Sequence, residues 1–273
     1  MLRLTYITNS PEMAKLADQS GIDRIMVDLE SRGKSARQNG WRTPVSDHNI
    51  EDIPHVCNAV KNAEVMVRIN SVYEGIVEEI EKVLSYNPDT IMLPYFKSAE
   101  EVKFVINAIN GRSKICLLIE TKEAVDNIDE ILSLEGIDEI HIGLNDLSHS
   151  YNQRFLFEPM ALGIVDYIVK KAKDYNIKDY GIGGIAKIGC GLIPAEDIIG
   201  EHYRLGSNHV MLSRTFYDNS IPSDIEETRK LFIQQVKEIR EVEKAKLELD
   251  SEARECCRKS FVRKVEDIVK GIE

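Results

Sequence analysis

Between Lys114 and Ser148 the chain reads K-I-C-L-L-I-E-T-K-E-A-V-D-N-I-D-E-I-L-S-L-E-G-I-D-E-I-H-I-G-L-N-D-L-S. Ile115, Cys116, Leu117, Leu118 and Ile119 form an unbroken apolar run, the pattern of a parallel strand buried on both faces. Glu120 ends the run, and Thr121 can cap a helix. Ala124, Ile128, Ile131 and Leu132 then recur at helical spacing, and Gly136 can stop the helix. Ile137 to Leu144 reads as a second strand and runs into Asp146. This β-α-β unit leaves Glu120 and Asp146 at the carboxyl ends of its two strands. A right-handed crossover puts those ends on the same side of the sheet. Neighbouring strands lie about 4.8 Å apart, so two such acids can share one divalent cation. Each can equally be a helix cap or a solvated loop charge. Carboxylates without a Cys or His cluster suit Mg or Mn better than Zn.

Working outward, further strand-like runs are Leu2 to Ile7, Asp23 to Leu29, Glu64 to Asn70, Thr90 to Tyr95, Asp179 to Ala186 and His209 to Arg214. Helical patterns separate them, from Pro11 towards Gly21, then Ile50 to Asn62, Tyr73 to Tyr86, Ser98 to Ile109, Met160 to Tyr175 and Ala195 to Leu205. Eight strands alternating with helices predict an α/β fold, a (β/α)8 TIM barrel rather than an open doubly wound sheet. No G-x-G-x-x-G follows the first strand, which weakens a dinucleotide reading. The barrel core is expected over residues 1–218, with residues 219–273 as an extended C-terminal helical segment. There Ile225, Phe232 and Ile239 repeat every seven residues, and Phe261, Val265, Ile268 and Ile272 mark a second helix. Such stripes either fold back on the barrel or meet a partner subunit. The expectation is that these helices close the barrel and mediate a homo-oligomer.

A chain of 273 residues, 43% hydrophobic and 30% charged, can build one full core of this size. The net charge of −11 carries no compensating basic stripe and argues against nucleic acid. The start, M-L-R-L-T-Y-I-T-N-S-P, lacks the apolar core of a secretory signal, and no run approaches a membrane span. The five cysteines, Cys57, Cys116, Cys190, Cys256 and Cys257, show no metal spacing, so reduced thiols in the cytoplasm are expected.

The stretch I-E-T-K-E-A-V-D-N-I-D-E-I-L, followed by G-I-D-E-I-H-I-G-L-N-D-L-S, resembles the HpcH/HpaI aldolase and citrate lyase family. The likeness extends to S-P-E-M-A-K-L-A-D-Q-S-G-I-D-R-I-M-V-D-L-E, to V-R-I-N and to M-L-P-Y-F-K-S-A-E-E-V. It implies a TIM barrel that makes or breaks carbon–carbon bonds beside a pyruvate or acetyl unit, with Glu120 and Asp146 as ligands of a divalent cation. The expected partners are a small 2-oxo acid and an aldehyde.

In a barrel the chemistry sits at the carboxyl ends of the strands. Here those ends carry Asp28, Glu30, Arg68, Pro94, Glu120, Asp146 and Arg214. Arg68 is expected to compensate the charge of an enolate, or else to be an ion-pair partner of Asp28 or Glu30. Asp28 is read as a supporting residue or a brace of the barrel mouth. Backbone N–H groups around Gly143, Leu144, Asn145 and Asp146 are expected to hold a substrate carboxylate, since a helix begins there, with Pro94 also lining the site. Aldolases of the resembling family carry a histidine directly after the acid that ends strand two, and its citrate-lyase branch an aspartate. This chain has Ser31 there. His48 on the same long loop is one candidate base, and Glu30 acting through a metal-bound water is the other. Arg32, Lys34, Arg37 and Arg42 of that loop read as solvated or as contacts for an acidic tail. A Schiff-base aldolase needs a desolvated strand-end lysine. Lys97, Lys122 and Lys187 stand in loops or helix starts instead. An acyl-CoA lyase of the citrate-lyase type and a non-catalytic barrel kept as a binding scaffold are the rival readings.

Overall fold

The computed structural model describes residues 1–32, 47–213, 216 and 224–272. Strand β1 (Arg3–Ile7) leads to helix α1 (Pro11–Gln19), and β2 (Arg24–Asp28) to α2 (Asp52–Ala59). Then follow β3 (Glu64–Arg68), α3 (Ile76–Leu84), β4 (Thr90–Leu93), α4 (Ala99–Ile109) and β5 (Lys114–Ile119). The expected single helix after Thr121 is two short ones, α5 (Lys122–Asp126) and α6 (Ile128–Leu132), broken at Asn127. After β6 (Glu139–Ile142) comes α7 (Leu144–Ser150). The helix expected from Met160 is also split, into α8 (Glu158–Ala161) and α9 (Ile164–Asp174). Gly163, at φ 85° between them, adopts a left-handed turn that a β-carbon would resist. The barrel ends with β7 (Asp179–Ile185), α10 (Ala195–Leu205) and β8 (His209–Leu212). All strands pair in parallel with their sequence neighbours, and β8 closes on β1.

Closure divides each strand by parity. Leu4, Tyr6, Ile25, Val27, Val67, Leu117 and Ile140 face outward and join the large apolar core under the helices. The alternate residues fill the interior in layers. The middle layer is Met26, Met66, Met92, Cys116 and Leu118, with Ile7 and Met211 against it. Below it lies a charged layer. Arg24, 2% exposed, reaches both oxygens of Glu139 at 2.9 and 3.0 Å and Glu64 at 2.7 Å. His209 Nδ1 stands 3.0 Å from Glu139, and Arg3 bridges to Asp179 at 2.8 Å. The upper layer holds Asp28 and Arg68, directly paired in register.

The C-terminal segment is a helical hairpin laid on its own barrel. Helix α11 (Ile225–Leu247) takes the eighth place in the helical ring, against α10 and α1. Phe232 meets Tyr6 and Phe216 edge to face, at 5.3 and 5.4 Å between centroids. Buried Glu243 accepts from the Leu2 N–H at 2.5 Å and from the Tyr203 hydroxyl at 2.9 Å. Helix α12 (Ser251–Gly271) returns over α10 and α8. Phe261 and Val265 are buried there, and Arg154 caps its last turn at the Val269 and Ile272 carbonyls. Of the stripes that prompted an intersubunit reading, Phe232, Ile239, Phe261 and Val265 are buried within the chain, and Ile225, Ile268 and Ile272 are partly buried against it. Among the described residues no helix is long and apolar enough to cross a membrane.

The charged lower layer makes acid stability a readout of the fold. Burial alone would push the Glu139 carboxyl up, but His209 and Arg24 hold it down at about 2. Its stabilisation is complete above the ordinary value of 4.5 and is lost as pH falls through about 2. Glu139→Gln is expected to lower unfolding stability at neutral pH by about 3 kcal/mol, because it removes one of the two carboxylates that neutralise the buried Arg24 guanidinium. Urea unfolding as a function of pH should also show a flatter acid dependence in this variant.

Candidate active site at the barrel mouth

At the end of β3 the Arg68 guanidinium is anchored side-on. Its Nε donates to Asp28 Oδ1 at 2.7 Å and its Nη2 to Asp28 Oδ2 at 2.6 Å. Glu30 Oε2 lies 3.4 Å from Nη1. Burial would lower the pKa of this guanidinium, but Asp28, Glu30 and Glu120 outweigh it and drive the pKa above the ordinary arginine value. Arg68 is thus a permanent cation, only 13% exposed, with three carboxylates in its field. Two donors on Asp28 fix the plane of the fork, and Nη1 faces Glu30. Both functional readings of Arg68, ion-pair partner and donor, are compatible with this geometry.

Glu120 follows β5 and is 3% exposed. Its Oε1 accepts from the Tyr95 N–H at 3.0 Å. Tyr95 sits at φ 51°, a left-handed conformation uncommon for an aromatic residue, and that twist after Pro94 aims the amide at the carboxylate. Pro94 itself is buried beside this turn. The other side of the carboxylate is bounded by Gly143. A β-carbon there would lie 2.7 Å from Glu120 Oε2 and 3.0 Å from its Cβ. Register explains the contact, since Ile119 pairs with Ile142 and the next residues are Glu120 and Gly143.

Asp146 lies in the first turn of α7, partly exposed. The Gly143 N–H, expected to serve substrate, instead donates to the Ile119 carbonyl at 3.0 Å and extends the sheet. The Leu144 side chain is buried and packs into the space over Gly183, where a β-carbon would come within 2.6 Å of it. That leaves backbone N–H groups of the first turn, those of Leu144, Asn145 and Asp146, as the donors α7 offers. The Asn145 carbonyl accepts from Ser148 Oγ at 2.7 Å.

The connection after β2 is tied at both ends. Asn70 Oδ1 accepts from the N–H groups of Ser31 and Arg32 at 3.0 Å each, and Glu79 holds the Asn70 amide. The Arg32 guanidinium stacks 4.1 Å above the Tyr73 ring. At the other end His48 Nδ1 accepts from the Asp28 N–H at 2.9 Å. Lys34, Arg37, Arg42 and Arg214 lie outside the described residues. Sequence reasoning missed Tyr95, Asn70 and Glu79. Only the P-Y step after a strand hinted at Tyr95, and nothing local marked the other two.

A closed parallel barrel with acids and a buried guanidinium at its carboxyl end is the architecture of an α/β-barrel enzyme. The chain belongs to the HpcH/HpaI aldolase/citrate lyase family, whose profile matches residues 4–158. It is 30% identical over 168 residues to the 2-keto-3-deoxy-L-rhamnonate aldolase of Escherichia coli strain K12, covering 50% of this chain and 57% of that one. The chain thus spans little more than half the length of the curated relatives it matches. A family protein from Burkholderia cenocepacia J2315 superposes with a TM-score of 0.62 at 13% identity, covering 88% of this chain and 95% of the other. The HpcH/HpaI aldolase of Desulfitobacterium hafniense DCB-2 gives 0.60 at 17% identity, covering 92% and 94%. The citrate synthase SbnG gives 0.60 at 18%, covering 88% and 94%. At these identities the superpositions speak for the fold.

The Gly143 contact is directly testable. Gly143→Ala is expected to fold, because φ at this position is −85° and suits any residue. The added methyl should push the Glu120 carboxylate off the Tyr95 amide. A crystal structure of the variant with Glu120 unmoved would show that the glycine is not required for the carboxylate's seat.

Proposed function

We propose that the chain is a divalent-metal-dependent carbon–carbon lyase that cleaves, or forms, a 4-hydroxy-2-oxo acid through the enolate of pyruvate. The observation that carries this reading is the buried Glu120 carboxylate, seated in a space that only glycine leaves open, in the field of the anchored Arg68. The name of the Escherichia coli relative, an aldolase of a keto-deoxy acid, supports the same class of substrate.

Glu120 and Asp146 would hold the cation. Their hard oxygens suit Mg or Mn. Among the described residues no three His, Cys, Asp or Glu side chains form a metal cluster. Two protein ligands leave the other positions to substrate and water. The ion would supply Lewis acidity towards the carboxylate and keto oxygens of the 2-oxo acid.

The chain's own groups do the rest. Cleavage breaks C3–C4. The electron pair becomes the C2–C3 double bond as the keto oxygen gains negative charge, and C4 leaves as an aldehyde once its hydroxyl proton is removed. C3 then takes a proton to give pyruvate. Arg68 donates to the oxygen at C2 as its charge grows, with the Asp28 carboxylate fixing the donor plane. First-turn amides of α7 orient the carboxylate of the 2-oxo acid. Glu30, buried at the mouth beside Arg68, takes the hydroxyl proton.

Two measurements test this assignment. Asp146→Ala should abolish the thermal stabilisation that Mg or Mn gives in the presence of pyruvate; stabilisation that survives would show the site is elsewhere. Arg68→Lys keeps a charge but loses the planar fork. It should cut turnover of a 4-hydroxy-2-oxo acid by roughly a hundredfold, as for one lost oxyanion donor, with a smaller change in KM. Pyruvate release in a coupled assay reads both constants, and near-normal turnover would leave Arg68 a purely structural ion-pair residue.

A further inference from the structure

His48 stands where a base could act, yet its ring is already committed. Nδ1 accepts from the Asp28 N–H at 2.9 Å, so in the neutral ring the proton resides on Nε2. The side chain is held from behind. Asp52 Oδ2 accepts from the Asn49 N–H at 2.8 Å and from Asn9 Nδ2 at 2.9 Å, which pins the turn carrying His48 to the end of β1. Asp28 in turn carries both bonds of the Arg68 fork and accepts from the Glu30 N–H at 3.1 Å. One hydrogen bond from the loop therefore reaches the backbone on which Asp28, Arg68 and Glu30 all depend.

We propose that His48 is a positioning residue and not the base: its neutral imidazole holds the Asp28 amide, and so the Arg68 donors, in the productive geometry. The inference rests on the aldolase reading for its catalytic consequence, but not for its structural one. Protonation puts a hydrogen on Nδ1 facing an N–H, and the bond is lost. The groups around the ring act in both directions. Burial lowers its pKa, Asp28, Asp47 and Asp52 raise it, and Arg68 lowers it. The net direction is below the ordinary 6.5. A depressed imidazole contributes stability that is present above 6.5 and is lost as pH falls below it through the folded-state value. The mouth is thus built to loosen in acid.

Asparagine separates the two roles, because Oδ1 can occupy the place of Nδ1 as an acceptor but cannot serve as a base at neutral pH. His48→Leu should lower turnover by roughly tenfold or more, as for loss of an orienting partner. His48→Asn should restore turnover to within a few-fold of the parent and remove the imidazole limb from the pH–rate profile. An active parent with an inert His48→Asn variant that still folds would overturn the proposal and make His48 the base. Nitrogen-15 NMR of the histidine ring gives an answer that needs no activity. An unprotonated Nδ1 and a protonated Nε2 at neutral pH are expected. The opposite tautomer would overturn the proposal as well. If the parent cleaves no 4-hydroxy-2-oxo acid, the aldolase reading fails, while the tautomer and the pH dependence of unfolding still decide the role of His48.

Discussion

In a closed parallel barrel every second residue of every strand must face an interior that water does not reach, and that parity governs the whole molecule. Its side chains must either be apolar or find partners there. The middle of this barrel takes the first course, with Met26, Met66, Met92 and Cys116 in one layer. Its two ends take the second. Below, Arg24 is neutralised by Glu139 and Glu64; above, Arg68 is neutralised by Asp28. Both are buried guanidinium–carboxylate pairs, and losing one partner of such a pair costs far more than the intact pair contributes.

The two charged ends differ in what their ions leave over. Arg24 spends its fork on Glu139 and Glu64 and is almost wholly enclosed, which suits a plug. Arg68 is bonded along one edge to Asp28 and lies 3.4 Å from Glu30 at Nη1, with Glu120 adding negative potential. The same chemistry yields a structural strut at one end of a strand set and a candidate catalytic group at the other, because the loops at the carboxyl ends enclose a site.

Backbone does much of the fine placement. The left-handed Tyr95 amide and the absent side chain of Gly143 grip Glu120 from two sides. Asn70 and His48 fasten the two ends of the connection after β2. The C-terminal hairpin contributes differently. It fills the eighth place in the helical ring and covers the Tyr6 side of β1 with Phe232.

Local periodicity was enough to read the eight strands, most of the helices and the acids at the ends of β2 and β5, because alternation of apolar residues depends only on near neighbours, while Asp146, read as following a strand end, lies in the first turn of α7. It also placed Arg68 at a strand end beside Asp28. Periodicity does not say which groups become partners across a sheet. The Asp28–Arg68 fork spans forty residues of sequence and exists because β2 and β3 pair in a register that sets the two side by side. The seat of Glu120 likewise depends on Gly143 of the adjoining strand and Tyr95 of the preceding one. His48 was read as a candidate base because it is the nearest histidine on the loop where the resembling family carries one; only its position against the Asp28 amide shows which nitrogen is engaged. The stripes of α11 and α12 announced burial truthfully, but what buries them was decided by the turn between the helices, which folds both back onto the chain's own α10. A sequence pattern states that a face must be covered, and the three-dimensional path of the chain selects the cover.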